Sequence, residues 1–210
     1  MFQQILLIAI SISGLLFIVF DYQKKTELRY VFKPLTTLLI ILLAILQEPQ
    51  VSELYKQLIL AGLIFSLAGD VFLMLPKDRF IAGLGSFFIA HLFFIFAFAG
   101  DFGPYWGWGY LIPIVLYAAI FLKILLPHTK KMTIPIIAYV LVLLVFLWQA
   151  SGRGYVLGGS SPALAFFGAV LFVASDSILA YDRFVKGFKF ATFFIMLTYW
   201  LAQVFITLSV

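Results

Sequence analysis

The stretch GLIFSLAGDVFLML at residues 62–75 has a near copy, GAVLFVASDSILAY, at residues 168–181, and each sets one aspartate inside an otherwise apolar run. In both, a Gly stands eight residues before the Asp, an Ala two before and a Leu three after. An Asp-Arg-Phe follows each, at residues 78–80 and 182–184. A carboxylate in hydrocarbon costs about 2.5 kcal/mol or more, so Asp70 and Asp176 read as functional groups. The plainer alternative is a carboxyl that only hydrogen-bonds a neighbouring helix.

The surroundings of these two runs set the fold class. The 210 residues are 64% hydrophobic and 11% charged, with a mean hydropathy of +1.13. Soluble domains carry about 25% charged residues. Such a chain cannot bury its apolar surface in one soluble core, and it reads as an all-α polytopic membrane protein. Crossing a ~30 Å hydrocarbon core takes about 20 residues of helix. Eight stretches qualify, at residues 4–20, 34–47, 54–75, 80–99, 105–126, 132–150, 162–181 and 188–208. They predict one transmembrane domain over residues 1–210.

Charge placement tests that expectation independently. Of the 14 Lys and Arg, twelve fall beside alternate connections: Lys24, Lys25, Arg29 and Lys33; Lys77 and Arg79; Lys123, Lys130 and Lys131; Arg183, Lys186 and Lys189. Only Lys56 and Arg153 fall on the other side. The positive-inside rule then makes the rich side cytoplasmic and puts both termini outside, in a cell membrane that is the inner membrane if the source is bacterial. YWGWGY at residues 105–110 suits an aromatic anchor at the outer interface. The first span has no Lys or Arg before Asp21 and no small-x-small cleavage site, so it reads as a retained helix rather than a secretory signal. Without cysteine, neither disulfides nor thiolates contribute. The net charge of +5 suits contact with anionic membrane lipids rather than nucleic acid.

Asp70 lies in the third span and Asp176 in the seventh, so the two run in the same direction. Pro34 and Pro135 each open the preceding helix, where Pro fits the first turn. Together these features predict two parallel four-helix repeats. At ~1.5 Å per residue, both aspartates lie roughly 8 Å inside the basic boundary, and His91 lies about 16 Å deep. Tyr199 and Gln203 share one face of the last span, and Lys33 marks the mouth. Facing inward together, these side chains outline a polar cavity, with Ser66 and Ser175 placed to orient the acids. Each has a plain reading as well: His91 as core, Tyr199 and Gln203 as interhelical contacts worth ~0.6 kcal/mol, Lys33 as a topology charge.

Metal and nucleophile chemistry fit poorly. A catalytic zinc takes three ligands rich in His or Cys, and this chain has two His, of which His128 stands among loop lysines. There is no G-x-S-x-G elbow. Acid-base work by a carboxyl pair remains, with no metal or other cofactor expected.

LAGDVFLML (67–75), RFIAGLGSFFIAHLFF (79–94), GAVLFVASDSILA (168–180), YWLAQVFI (199–206) and FKP (32–34) closely resemble the signature blocks of the lysoplasmalogenase (YhhN) family of eight-span membrane proteins. The matches run from the second span to the eighth. The resemblance implies hydrolysis of the vinyl-ether bond of a lysoplasmalogen to a fatty aldehyde and a glycerophospho-headgroup alcohol, with a lysophospholipid as substrate. It also implies Asp70, His91, Asp176, Tyr199 and Gln203 as site residues, and Lys33 with less force. One departure is Phe94, where the family often has Tyr. The chemistry agrees with the residues, because protonating the terminal alkene carbon needs one neutral acid and the resulting oxocarbenium needs a nearby anion. Two carboxyls in an apolar site supply that division of labour. A proton-coupled transporter of a small molecule or lipid would also use buried acids. The scarcity of polar groups in the outer half beyond Gln203 counts against it. A lipid-binding or assembly protein would tolerate Asp to Asn changes.

Overall fold

The computed structural model describes residues 2–100 and 103–210. Among them the regular structure is helical: α1 (Phe2–Tyr22), α2 (Thr26–Leu46), α3 (Glu53–Met74), α4 (Phe80–Gly100), α5 (Trp108–Thr129), α6 (Thr133–Leu157), α7 (Ser160–Phe184) and α8 (Ala191–Leu208). Seven stretches are long and apolar enough to cross a bilayer, one of them the 50-residue Trp108–Leu157. Within that stretch a 3-10 turn at Lys130–Met132 separates α5 from α6, and the two helices pack on one another. This is a multi-pass membrane protein. Large apolar side chains such as Ile5, Ile8, Ile12 and Leu15 recur at helical spacing on the outer face of α1, as a lipid-facing stripe requires.

Local chemistry sets the helix ends. Ser52 caps α3 by accepting the Tyr55 N–H at 3.0 Å. Lys56 donates to the carbonyls of Ile45 and Gln47 at the end of α2, at 2.8 and 2.6 Å. Gly158 and Gly159 turn α6 into α7 at φ of +63° and +86°, a conformation that favours glycine. The two Asp-Arg-Phe motifs join one another. Asp78 accepts from the Phe80 N–H at 3.1 Å and pairs with Arg183 at 2.7 Å, and the Arg183 guanidinium lies 4.0 Å over the Phe80 ring. The Phe80 N–H and the guanidinium hold the Asp78 carboxyl below the usual carboxylate range.

Packing follows one order in both halves. α2 packs on α3 and α3 on α4, as α6 packs on α7 and α7 on α8, and the halves meet through α4 on α6 and α2 on α8. Two matched glycines allow the closest approaches. A Cβ at Gly62 would run into the Phe94 ring of α4, and one at Gly168 would stand 2.7 Å from Ile206 and 2.9 Å from the Ala202 carbonyl of α8. The core between these pairs is aromatic, with Phe94, Phe98, Phe146 and Phe172 fully buried.

Three expectations need correction. Pro34 does not open the second helix, because α2 begins at Thr26 and carries Pro34 inside it. The polar residues of its first two turns lower the hydropathy there without ending the helix; of these, Arg29, Tyr30 and Lys33 line an inner cavity. Pro135 does sit in the first turn of α6. Arg153 is not a loop charge but a fully buried residue of α6, with its guanidinium 4.6 Å over the Tyr55 ring and bonded to Ser161 at 3.1 Å. The fifth helix starts at Trp108 rather than at residue 105. Before it, Tyr105 is tied to Gln149 of α6 through its backbone, while Trp106 and Trp108 stand exposed.

Candidate active site

Asp70, in the last turns of α3, is buried, and three side chains from two other helices close on it. From α2, Thr37 donates to Oδ2 at 2.8 Å and the Lys33 ammonium stands 3.4 Å from Oδ1. From α8, the Tyr199 hydroxyl donates to Oδ2 at 2.8 Å. Lys33 reaches the acid because α2 continues four residues ahead of Pro34 and beyond, which turns its stem inward, one helical turn before Thr37. A charged acceptor with a cation and two hydroxyl donors is well satisfied even out of water.

Asp176 on α7 has a sparser setting. Its Oδ2 accepts the Tyr139 hydroxyl of α6 at 2.6 Å, and no cation pairs with it among the described residues. The interval from Tyr139 to Asp176 is 37 residues. Lys33 to Asp70 is the same interval, so a phenol stands in the second half where an ammonium stands in the first.

The two carboxyls line one cavity. Lys33, Arg29, Ser175, Tyr199 and Asp182 share its wall, and it lies by the connections from α1 to α2 and from α7 to α8. The Tyr199 hydroxyl, bonded to Asp70, lines this cavity together with Asp176. Arg29 is itself paired with Asp21 at 2.8 Å. Among the described residues no three His, Asp or Glu side chains converge as metal ligands would.

The structure thus brings Lys33, Asp70, Ser175, Asp176 and Tyr199 to one cavity and places the other expected residues behind it. His91 is fully buried, with Nδ1 2.7 Å from the Phe87 carbonyl and its ring edge-on to Phe146, Phe172 and Tyr139. It backs the tyrosine that holds Asp176. Gln203 is one turn beyond Tyr199 and fully buried, and neither its amide oxygen nor its nitrogen has a partner among the described residues. Neither serine orients an acid. The Ser66 hydroxyl is likewise unpartnered, and Ser175 donates to the Ile195 carbonyl at 3.0 Å. Phe94, the departure from the resemblance, stacks in the core beside His91.

Sequence reading misses Thr37, Tyr139 and Arg29. A threonine or tyrosine in an apolar helix and an arginine in a basic loop are ordinary residues there. The signal that could find one of them, Tyr139, is the 37-residue interval to Asp176, which repeats the interval from Lys33 to Asp70.

The chain is similar to proteins already known. The YhhN family profile matches residues 28–210. Over 156 residues the chain is 39% identical to human lysoplasmalogenase TMEM86B, covering 74% of this chain and 64% of that protein. It is 34% identical over 205 residues to lysoplasmalogenase TMEM86B of Mus musculus, covering 97% and 83%. To the uncharacterized membrane protein YhhN of Escherichia coli O157:H7 it is 33% identical over 183 residues, covering 87% and 86%. No solved structure matches the chain.

Proposed function

The chain belongs to the YhhN family, and from that premise we propose that it is a membrane hydrolase cleaving the vinyl-ether bond of lysoplasmalogens, with Asp70 and Asp176 as its working acids. The single observation that carries this reading is one buried cavity holding two carboxyls of unlike surroundings, one ion-paired and one not. Relatives named as lysoplasmalogenases supply the reaction class.

The unlike surroundings divide the labour. Asp70, held by Lys33, Thr37 and Tyr199, is the fixed anion. Asp176, with a neutral phenol as its bonded partner, carries the transferable proton on its other oxygen. The proton of Asp176 goes to the alkene carbon farther from the ether oxygen, and the carbon bonded to that oxygen becomes an oxocarbenium ion that the Asp70 charge stabilises. Water adds to that carbon and returns a proton to Asp176. The hemiacetal so formed breaks its bond to the glycerol oxygen, which takes up a proton as the hemiacetal hydroxyl loses one. The products are a fatty aldehyde and the glycerophospho-headgroup alcohol, with one water consumed. Lys33 and Arg29 face the same cavity and supply positive charge for the phosphate.

The basic connections lie on the cytoplasmic side in this reading, so the cavity opens toward the inner leaflet and residues 1 and 210 both face out. Residues 1–210 act as one transmembrane unit of eight crossings. Because the chain has no cysteine, single introduced cysteines labelled from either side give a direct test of sidedness.

Aldehyde release from ethanolamine and choline lysoplasmalogens by purified protein in detergent tests the activity. Asp176→Asn, which keeps the shape and loses the acid, is expected to cut release by about 100-fold to 10,000-fold. Asp70→Asn is expected to fall comparably. A folded wild type that releases no aldehyde from either substrate overturns the proposal.

A further inference from the structure

A second cavity lies between α4, α5, α6 and α7, and nothing in the acid chemistry above uses it. Its wall is almost wholly hydrocarbon and aromatic, including Leu84, Ile114, Ala118, Val140, Leu144 and Leu147. The polar atoms on that wall are already committed. The Tyr117 hydroxyl donates to Ser177 at 2.8 Å, Ser177 donates to the Val173 carbonyl at 2.7 Å, and the Tyr139 hydroxyl is spent on Asp176. An occupant therefore finds no free donor or acceptor beyond Asp176.

The two cavities share Leu73, Phe87, Asp176 and Leu179. Asp176 thus stands where a space lined by Lys33, Arg29 and Asp70 meets a space lined by hydrocarbon. Toward the α7–α8 connection the apolar space is walled by the edge-to-face pair Phe80 and Phe184. In the other direction it follows α6 from Tyr139 to Leu147, eight residues or about 12 Å. α5 packs on α6 and α7 and leaves this space between itself and α4.

We infer that the apolar cavity between α4, α5, α6 and α7 is the seat of the substrate's single hydrocarbon chain, with Ala118 on α5 setting how much chain it admits. The occupant is an aliphatic chain because it must be apolar throughout its length yet continuous with a polar end beyond Asp176. Ala118 is buried and is the smallest side chain α5 contributes to the wall, so enlarging it shortens the seat. The identity of the chain as an alkenyl group rests on the hydrolase reading; the seat itself does not.

The test pairs a binding measurement with turnover. Stabilisation of the purified protein against heat by non-hydrolysable 1-O-alkyl lysophospholipids of graded chain length reads binding without hydrolysis. Ala118→Phe is expected to weaken binding of the long chains by about tenfold or more while leaving the short ones unchanged, with a matching shift in kcat/KM across lysoplasmalogens. Should Ala118→Phe not fold, Leu144→Ala provides the opposite change, an enlarged seat that raises the relative affinity for long chains. A length preference that shifts in binding, in a protein that releases no aldehyde, supports the seat and defeats the hydrolase reading. Aldehyde release with a length preference that neither substitution moves overturns the seat and leaves the hydrolase standing.

Discussion

The half of the molecule around Asp70 and the half around Asp176 repeat one plan with different partners. Each aspartate follows a glycine by eight residues on a helix packed between two neighbours, and each is met by a side chain 37 residues earlier. In the first half that side chain is Lys33 and in the second it is Tyr139. A carboxyl facing an ammonium has a countercharge beside it; one facing a phenol has none. One plan laid down twice can thus give two acids of unlike character when a single partner changes, and this is the asymmetry that acid-base chemistry needs.

The comparison breaks most severely at its cation. Lys33→Met removes the ammonium and leaves a carboxylate buried without a countercharge, which costs about 3–5 kcal/mol. Thermal unfolding in detergent is expected to drop accordingly and to recover when Asp70→Asn is added. No recovery in the double variant would mean that Lys33 acts through its stem and not through its charge. The glycines come next. Gly168→Ala meets the Ala202 carbonyl, part of a helix backbone, whereas Gly62→Ala meets the side-chain ring of Phe94. Overpacking costs about 1–3 kcal/mol, with Gly168→Ala expected at the upper end and Gly62→Ala at the lower. Equal losses would make the two helix contacts equally rigid. Tyr139→Phe is the mildest, since it deletes one hydrogen bond worth about 1 kcal/mol. Its sharper reading is kinetic. The pH at which aldehyde release is half-maximal is expected to move in Tyr139→Phe and to stay in Thr37→Val, because Tyr139 touches the carboxyl proposed as the proton donor and Thr37 does not.

Much of this layout is legible in the amino-acid sequence. Apolar runs long enough to span a bilayer announce themselves by composition, and two aspartates within them are too costly to be incidental. Lys33, Tyr199 and both aspartates do meet around one cavity. The rest is hidden for physical reasons. α2 begins with Thr26, Glu27 and Arg29, and a hydropathy count reads such residues as a loop, although the helix continues through Arg29, Tyr30 and Lys33 along the cavity wall. Arg153 reads as a loop charge for the same reason, although its ring contact with Tyr55 and its bond to Ser161 satisfy it inside the bundle. His91 and Gln203 stand out in sequence because they are polar, yet they lie behind the cavity wall rather than on it. Tyr139 is inconspicuous because its ring belongs in an apolar helix and only its oxygen does polar work.

The tie between Asp78 and Arg183 and the bond between Lys33 and Asp70 answer to different worlds. The outer tie stands in water, where mobile ions blunt it over a Debye length of about 8 Å at physiological ionic strength. Its carboxyl is held below the ordinary value near pH 4, so its contribution is present above that value and is lost as the solution turns more acid. The inner pair has its carboxylate buried and its ammonium nearly so. Brine therefore loosens the rim where the two halves are stitched together and reaches the innermost clasp far less.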